Sequence, residues 1–154
     1  MTRNVCTDVG LLALRIALGL YLLLAGVGKV QGELNNGLGS FYSGSFKGLQ
    51  PDWLPNVLAA PYGYALPWLE VLVGALLILG LVGQIAAIVG LLMLASFTVA
   101  LALANNSLTA QGADAPGPYH GNYIQIAGYL MLTLAGCGKL ALDSAFAGKK
   151  RKKG

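Results

Sequence analysis

Residues 64–104 read YALPWLEVLVGALLILGLVGQIAAIVGLLMLASFTVALALA, an apolar run whose one charged side chain is Glu70. A helix that crosses a bilayer needs about 20 mostly apolar residues, so this run is too long for a single span. The segment GLVGQ near its middle has two glycines and favours a turn between helices over 64–83 and 84–104. The run therefore predicts a helical hairpin in a membrane.

Two further apolar segments, at about 10–30 and 122–142, are also long enough to span. Charged residues make up 10% of the chain, whereas an average soluble domain has about 25%, so little of this surface faces water. The first segment contains Arg15 and is longer than the apolar part of a signal peptide, so we expect a retained helix. We predict one all-α domain over 1–148, an integral-membrane four-helix bundle.

The basic residues predict how the spans are oriented, because Lys and Arg accumulate on the cytoplasmic side of a membrane. Half of them lie in the tail 149–154, directly after the last apolar segment, and an even number of spans returns Arg3 to the same side. We expect a multi-pass membrane protein with both termini in the cytoplasm and with membrane lipids as neighbours. The tail is explained as an anchor in preference to a nucleic-acid-binding segment.

The loop 31–63 would then be extracytoplasmic, and it is too long for a simple turn. Asp52 could begin a short helix that ends near Pro61. The loop and the start of the second helix are rich in aromatic residues, which are common at membrane–water interfaces. An aromatic belt is the first interpretation and an aromatic-walled ligand site the alternative; the residues concerned are Phe41, Tyr42, Phe46, Trp53, Tyr62, Tyr64 and Trp68.

Three ionisable residues lie within or at the ends of the first two spans: Arg15, Lys29 and Glu70. Each would cost roughly 2.5–3.5 kcal/mol at the bilayer centre, so each needs a partner or a function. At about 1.5 Å of rise per residue, Arg15 and Glu70 lie at different depths, which makes Lys29 the better partner of Glu70. With Pro67 in the first turn of its helix, Glu70 would also gain from the helix dipole. Arg15 either reaches the inner headgroups or contacts the Cys137 end of the fourth helix.

A Lys29–Glu70 ion pair is compatible with two functions, since it could fix the helix packing or handle a ligand or a proton. His120, the only histidine, stands beside Tyr123 and Gln125 and could share an outer cavity with Glu70; a solvated loop histidine is the simpler alternative. The candidate catalytic residues are Glu70 and His120, the candidate ligand-binding residues are Lys29, Trp68, Tyr123 and Gln125, and Arg15 is a structural charge. The two cysteines have no metal-ligand spacing, so we expect no metal site.

Two motifs in the first two helices resemble the DoxX family. LLALRIALGLYLLLAGVGKV (11–30) and ALPWLEVLVGALLILGLVG (65–83) share with that family an arginine, a proline before a glutamate, and spaced glycines. The residues placed on the family pattern are Arg15, Gly19, Lys29, Glu70, Gly74 and Gly80. The resemblance implies a small four-helix bundle in the bacterial cytoplasmic (inner) membrane, and the related DoxD members imply a membrane subunit of a thiosulfate:quinone oxidoreductase.

The resemblance therefore favours a redox-linked subunit of a membrane oxidoreductase system, with quinone as its ligand, no covalently bound cofactor, and other membrane or redox subunits as partners. The alternative is a non-catalytic structural or assembly subunit of a larger membrane complex. A transporter is less favoured, because the polar groups do not line one continuous path. The redox function needs Glu70 to be reachable by a ligand, whereas the structural function needs it sealed.

Overall fold

The protein is built from α-helices, in a computed structural model that describes residues 5–104, 108 and 120–143. The elements are α1 (Val5–Asn36), a π-helix (Tyr42–Phe46), α2 (Lys47–Leu49), α3 (Asn56–Leu79), α4 (Gly83–Ala104) and α5 (His120–Ala135), and the described residues include no strand. By length and composition α1, α3 and α4 could each cross a membrane. The all-α prediction is confirmed, and the predicted tail 149–154 lies outside the described residues.

The long helices pack in sequence, α1 against α3, α3 against α4, α4 against α5, and α5 back against α1. We call the end with the α3–α4 turn the turn end, and the opposite end, with the connection 37–55, the loop end. A core of buried side chains runs between the helices, including Leu18, Val73, Leu77, Tyr129 and Leu132. Many large apolar side chains face outward, as expected for helices in contact with lipid.

Small residues let α1 and α3 approach until their backbones touch. A Cβ atom added at Gly74 would lie 2.6 Å from the backbone nitrogen of Leu23, and one added at Gly26 would lie 2.7 Å from that of Val71. Such small-residue contacts are the usual way for helices to associate tightly in a membrane. The close approach sets the distance between any side chains that face each other across α1 and α3.

The predicted hairpin forms, with a short turn between α3 and α4. Gly80 ends α3 in the left-handed conformation (φ 69°), and its N–H donates to the carbonyls of Leu76 and Leu77 at 2.9 and 3.1 Å. The predicted boundary at 83/84 falls at the first residues of α4. Hydropathy and glycine position were sufficient here because the turn interrupts an otherwise continuous apolar run.

The predicted ends of the first two helices are wrong, since both helices are longer than their apolar segments. α1 runs from Val5 to Asn36, and α3 begins at Asn56 and contains both Pro61 and Pro67. The connection is therefore 37–55 in place of 31–63, and it contains helical turns over 42–49. The short helix expected from Asp52 to near Pro61 does not form separately, because residues 52–54 are a turn and residues 56–61 begin α3. Hydropathy marks the part of a helix that lies in lipid, whereas a helix continues into water wherever its backbone bonds are satisfied.

The fourth apolar segment does not form one helix over 122–142. α5 ends at Ala135, and it is followed by Gly136 and Gly138, which have φ values of 75° and 80°. Its 16 residues rise about 24 Å, less than the roughly 30 Å of a hydrocarbon core. Left-handed glycines end helices, so the residues after Ala135 are free to turn and close the turn end of the molecule.

Candidate functional site

Lys29 on α1 and Glu70 on α3 form an ion pair across the tight helix contact. The Lys29 ammonium donates hydrogen bonds to both carboxylate oxygens of Glu70. Glu70 is only 7% exposed, because neighbouring side chains as well as Lys29 cover its carboxylate. The predicted ion pair is confirmed, but the dipole argument for it is wrong, because α3 starts at Asn56 and leaves Glu70 in mid-helix.

The connection 37–55 covers the lysine side of this pair. The Lys29 ammonium lies 5.3 Å from the centroid of the Phe41 ring, within range of a cation–π interaction. Phe41 is itself held in place, because its backbone N–H donates to Glu33 Oε1 at 2.8 Å and the N–H of Gly39 donates to the other oxygen. Lys29 is therefore enclosed between a carboxylate and an aromatic ring.

Glu33 is a structural residue that sequence reasoning missed. It is 3% exposed and binds two backbone N–H groups at the start of the helical turns over 40–49. Carboxylates are favoured at such positions, because the first N–H groups of a helix have no partner within it. The signal was an acidic residue shortly before a Gly-x-Gly segment, but hydropathy assigned that region to a solvated loop.

The aromatic residues of the loop pack mainly on one another and on α3. Tyr42 stacks on Tyr64 with ring centroids 5.0 Å apart, and Phe46 meets Tyr62 edge-on at 5.7 Å. These contacts attach the loop to the first turns of α3, a role that neither the belt nor the ligand-site interpretation included. Trp53 remains largely exposed, as a residue of an interfacial belt would be.

Arg15 closes the turn end of the molecule. It is 2% exposed, and its guanidinium donates to the carbonyls of Cys137 and Leu140 at 3.3 and 3.4 Å. Of the two alternatives left open for Arg15, contact with the Cys137 end of the fourth segment is the one observed. The carbonyls are available because the helix has already ended at Ala135.

Two aspartates that the sequence reasoning did not consider also bind at the turn end. Asp143 accepts the backbone N–H groups of Val82 and Gly83, both at 2.8 Å, and so caps the start of α4. Asp8 accepts the N–H of Lys139 at 3.1 Å. With Arg15 and the 136–143 segment they form what we call the turn-end cluster. Burial there raises the pKa of the Cys137 thiol, an effect that the nearby Arg15 opposes.

The other predicted site residues have no described hydrogen bond to Glu70 or Lys29, and their roles stay predictions. Trp68 and Tyr123 are each nearly half exposed, and the Tyr123 hydroxyl donates to the carbonyl of Leu108. Gln125 is half-buried, with an oxygen that has no hydrogen-bond partner among the described residues. His120 begins α5, but its side chain lies outside the described residues. No cluster of His, Cys, Asp and Glu suited to a metal ion occurs in the described ranges.

A cavity of about 390 Å³ lies elsewhere, between the connection 37–55, α3 and α4. Its walls are almost entirely apolar and include the aromatic rings of Phe46, Trp53, Tyr62 and Phe97. Neither member of the ion pair lines it, and neither do Trp68, Tyr123 or Gln125. This cavity therefore differs from the outer cavity predicted beside Glu70 and His120, which stays a prediction.

Three helices long and apolar enough to cross a membrane, with many leucines facing outward, indicate a multi-pass helical membrane protein. Within this class, the family model of methylamine utilisation protein MauE matches residues 7–112, and the chain belongs to that family. No curated protein and no solved structure matches the chain significantly.

The assignment to the DoxX family is therefore wrong, because the matching model belongs to a different membrane family. The features that suggested DoxX have structural causes in this fold. Gly19 and Gly74 permit the contact of α1 with α3, Gly80 ends α3, and Arg15 binds carbonyls beyond α5. Such features can recur in any small helical membrane protein with similar packing, so they do not define one family.

Proposed function

We propose that this chain is a non-catalytic accessory subunit of the bacterial cytoplasmic membrane that supports methylamine utilisation. It would act by assembling with other membrane or redox subunits. The MauE family assignment supports the pathway, since the family takes its name from it. The closed Lys29–Glu70 pair supports the non-catalytic role.

The ion pair carries this proposal because a catalytic carboxylate must be reached by a ligand. Both Glu70 oxygens are bonded to Lys29, and the two side chains are 10% and 24% exposed respectively. Phe41 lies over the lysine, and neither residue lines the apolar cavity beside the connection 37–55. A pair with these properties fixes the register of two helices, because separating it would leave a charge unpaired in an apolar surrounding.

The membrane arrangement we propose has four spans, α1, α3, α4 and a shorter fourth span formed by α5. Three of these helices meet the length and hydropathy of a span, and α5 packs against two of them. The basic tail supports a cytoplasmic position for both termini. The loop end, with the aromatic connection 37–55, would then be the extracytoplasmic surface on which partner subunits could dock.

The test separates a structural carboxylate from a catalytic one by removing both charges together. A bacterium that grows on methylamine, and whose own family member is deleted, would receive the unchanged chain, Glu70→Gln, or the double variant Lys29→Met/Glu70→Leu. We expect Glu70→Gln to reduce both growth on methylamine and the amount of protein in the membrane. The double variant should restore both, because it replaces the pair by apolar side chains of similar volume.

Leu20→Met is the control, since it changes an outward-facing side chain of α1 that belongs neither to the ion pair nor to the connection 37–55. It should leave growth unchanged. A double variant that accumulates normally in the membrane but does not support growth would show that the carboxylate is needed chemically. The redox-linked function, with quinone as the ligand, would then replace this proposal.

A further inference from the structure

The apolar cavity between the connection 37–55, α3 and α4 continues into a polar cleft of about 320 Å³. Gln50, Pro51 and Leu54 line both spaces, so these residues mark the border between them. The cleft is also lined by Lys47, Asp52 and Asn56. A site that is apolar on one side and polar on the other is suited to an amphipathic molecule.

Gln50 has an unsatisfied oxygen at this border. Its amide nitrogen donates to the carbonyl of Leu54 at 2.7 Å and to Asn56 Oδ1 at 3.0 Å. These two bonds fix which end of the amide is the oxygen, because rotating the amide would lose both. Oε1 is buried and has no hydrogen-bond partner among the described residues, and a buried acceptor in this state costs free energy until a donor arrives.

The second polar group in the cavity also has spare capacity to accept. The hydroxyls of Tyr62 and Ser96 lie 2.9 Å apart, and the Ser96 hydroxyl donates to the carbonyl of Met93 at 2.8 Å. Since Ser96 has used its hydrogen, the Tyr62 hydroxyl is the donor between them, and its oxygen can still accept a bond. Gln50 and Tyr62 can therefore each accept one further hydrogen bond, and a ligand that satisfies them must supply a donor.

We propose that this cavity binds an apolar membrane molecule carrying a hydroxyl group, which donates its hydrogen bond to Gln50 Oε1. The aromatic and aliphatic walls hold the apolar body, and α4, one of the candidate spans, forms one wall, so the molecule can enter from the lipid. The volume lies at the lower end of the range for small-molecule sites. Both a quinol and a lipid alcohol such as a monoacylglycerol have the required chemistry.

Binding at this cavity is independent of the accessory role, because neither Lys29 nor Glu70 lines it. The Glu70 variants can therefore fail while the cavity still binds its ligand, and the reverse also holds. The two proposals are tested by different variants and different measurements.

The experiment uses 4-nonylphenol and its methyl ether, which share one apolar body and differ in the hydroxyl hydrogen. The full chain would be placed in phosphatidylcholine nanodiscs with Trp68→Phe, which leaves Trp53 at the cavity as the single tryptophan. The Trp53 emission would be followed during titration with each compound. We expect a saturable shift with the phenol and about fivefold weaker binding of the ether, as the loss of one hydrogen bond predicts.

Variants locate the effect at Gln50. Gln50→Leu should abolish the preference for the phenol, whereas Gln125→Leu should preserve it, although Gln125 also has an unpaired buried oxygen. Ala95→Phe should fill the cavity and abolish the shift with both compounds. Parallel titrations with a decyl hydroquinone and a monoacylglycerol would distinguish the two natural sources.

Equal binding of the phenol and the ether would overturn the proposal, since a water molecule would then be sufficient to satisfy Gln50. A preference for the phenol that persists in Gln50→Leu, or the absence of any saturable shift, would also overturn it. The comparison of the two compounds on the unchanged cavity does not depend on how well any cavity variant folds.

Discussion

Glu70, Lys29 and Arg15 are charged side chains in apolar helices, and each is bound to a specific partner. Glu70 and Lys29 bind each other, and Arg15 binds two backbone carbonyls at the turn end. Removing one member of a buried ion pair typically costs about 3–5 kcal/mol, because the other charge is left without a partner. In this chain the intramembrane charges therefore act first as constraints on where the helices lie.

Arg15→Met should open the turn-end cluster and expose Cys137. The guanidinium holds the carbonyl of Cys137, whose thiol is buried beneath it, whereas Cys6 is exposed. Burial raises the pKa of the Cys137 thiol, so little of the reactive thiolate is present near neutral pH in the intact protein. In a Cys6→Ser background, a maleimide should label the protein slowly, and Arg15→Met should increase the rate at least tenfold.

Ile16→Met is the control, since it changes a neighbouring side chain that faces outward. Labelling that is equally slow in Arg15→Met and in Ile16→Met would mean that the 136–143 segment is held without the arginine. Arg15 would then not be the residue that closes the turn end.

The partners of the charges could be predicted from sequence to different degrees. The estimated depth of each residue in the membrane was sufficient to pair Lys29 with Glu70. For Arg15 the same estimate left two alternatives, of which contact with the Cys137 end is one. Glu33, Asp8 and Asp143 were missed because each binds backbone N–H groups of another segment. Such bonds depend on where the chain turns, which the residue types alone do not specify.

At the scale of elements, α1 and α3 are the pair whose contact positions the ion pair. Their backbones meet at Gly19, Gly26 and Gly74, where any side chain would collide with main-chain atoms of the other helix. A main-chain atom cannot move aside without displacing its whole helix. This contact is therefore the least tolerant part of the fold to substitution.

Gly26→Ala should destabilise the protein by about 1–3 kcal/mol, the usual cost of overpacking a close contact. The added methyl group would lie 2.7 Å from the backbone nitrogen of Val71, so α1 and α3 must move apart next to the ion pair. Gly28→Ala is the matched control, because nothing lies within 4 Å of a Cβ atom at that position. The melting temperature in mild detergent measures both effects.

Gly28→Ala should be neutral or slightly stabilising, since alanine favours a helix by about 1 kcal/mol over glycine. If both substitutions lower the melting temperature equally, the helix contact is not the cause. A neutral Gly26→Ala would show that the backbones of α1 and α3 are not in contact at this position.

The existence of the long helices was predictable, whereas their ends were not. Apolar length identified α1, α3 and α4, and the glycines located the turn between α3 and α4. The ends of α1 and α3 were missed because both helices continue past their apolar parts, and Pro61 and Pro67 lie within α3. The end of α5 was missed because Gly136 and Gly138 turn the backbone inside an apolar segment.

At the scale of the whole molecule, the four proposed spans place the connection 37–55 on the extracytoplasmic side of the membrane and residue 6 in the cytoplasm. A cysteine at Ser45, which is exposed in that connection, should react with a membrane-impermeant maleimide in intact cells. In the matched variant that keeps only Cys6, labelling should appear after the membrane is permeabilised. Labelling of Cys6 alone in intact cells would reverse the orientation, and labelling of both would show that α1 does not cross the membrane.

The apolar cavity is a property of the whole molecule, because three separate parts of the chain form its walls. Phe46 and Gln50 come from the connection, Tyr62 from α3 and Phe97 from α4. The sequence indicated that an aromatic-walled site was an alternative to a belt, but it could not show which helices would enclose it. The two motifs at 11–30 and 65–83 could not identify the family either. Their glycine spacing and buried charges reflect helix packing that different membrane families share.

A double-mutant cycle at Lys29 and Glu70 is the most direct test of whether the ion pair holds the fold together. The unfolding free energy in mild detergent would be measured for the unchanged chain, Lys29→Met, Glu70→Leu and the double variant. We predict that each single change costs about 3–5 kcal/mol, that the double variant is close to the unchanged chain, and that the coupling therefore approaches the sum of the two single costs. Single variants as stable as the unchanged chain, with no coupling, would show that the pair is not structural and that Glu70 is retained for chemistry.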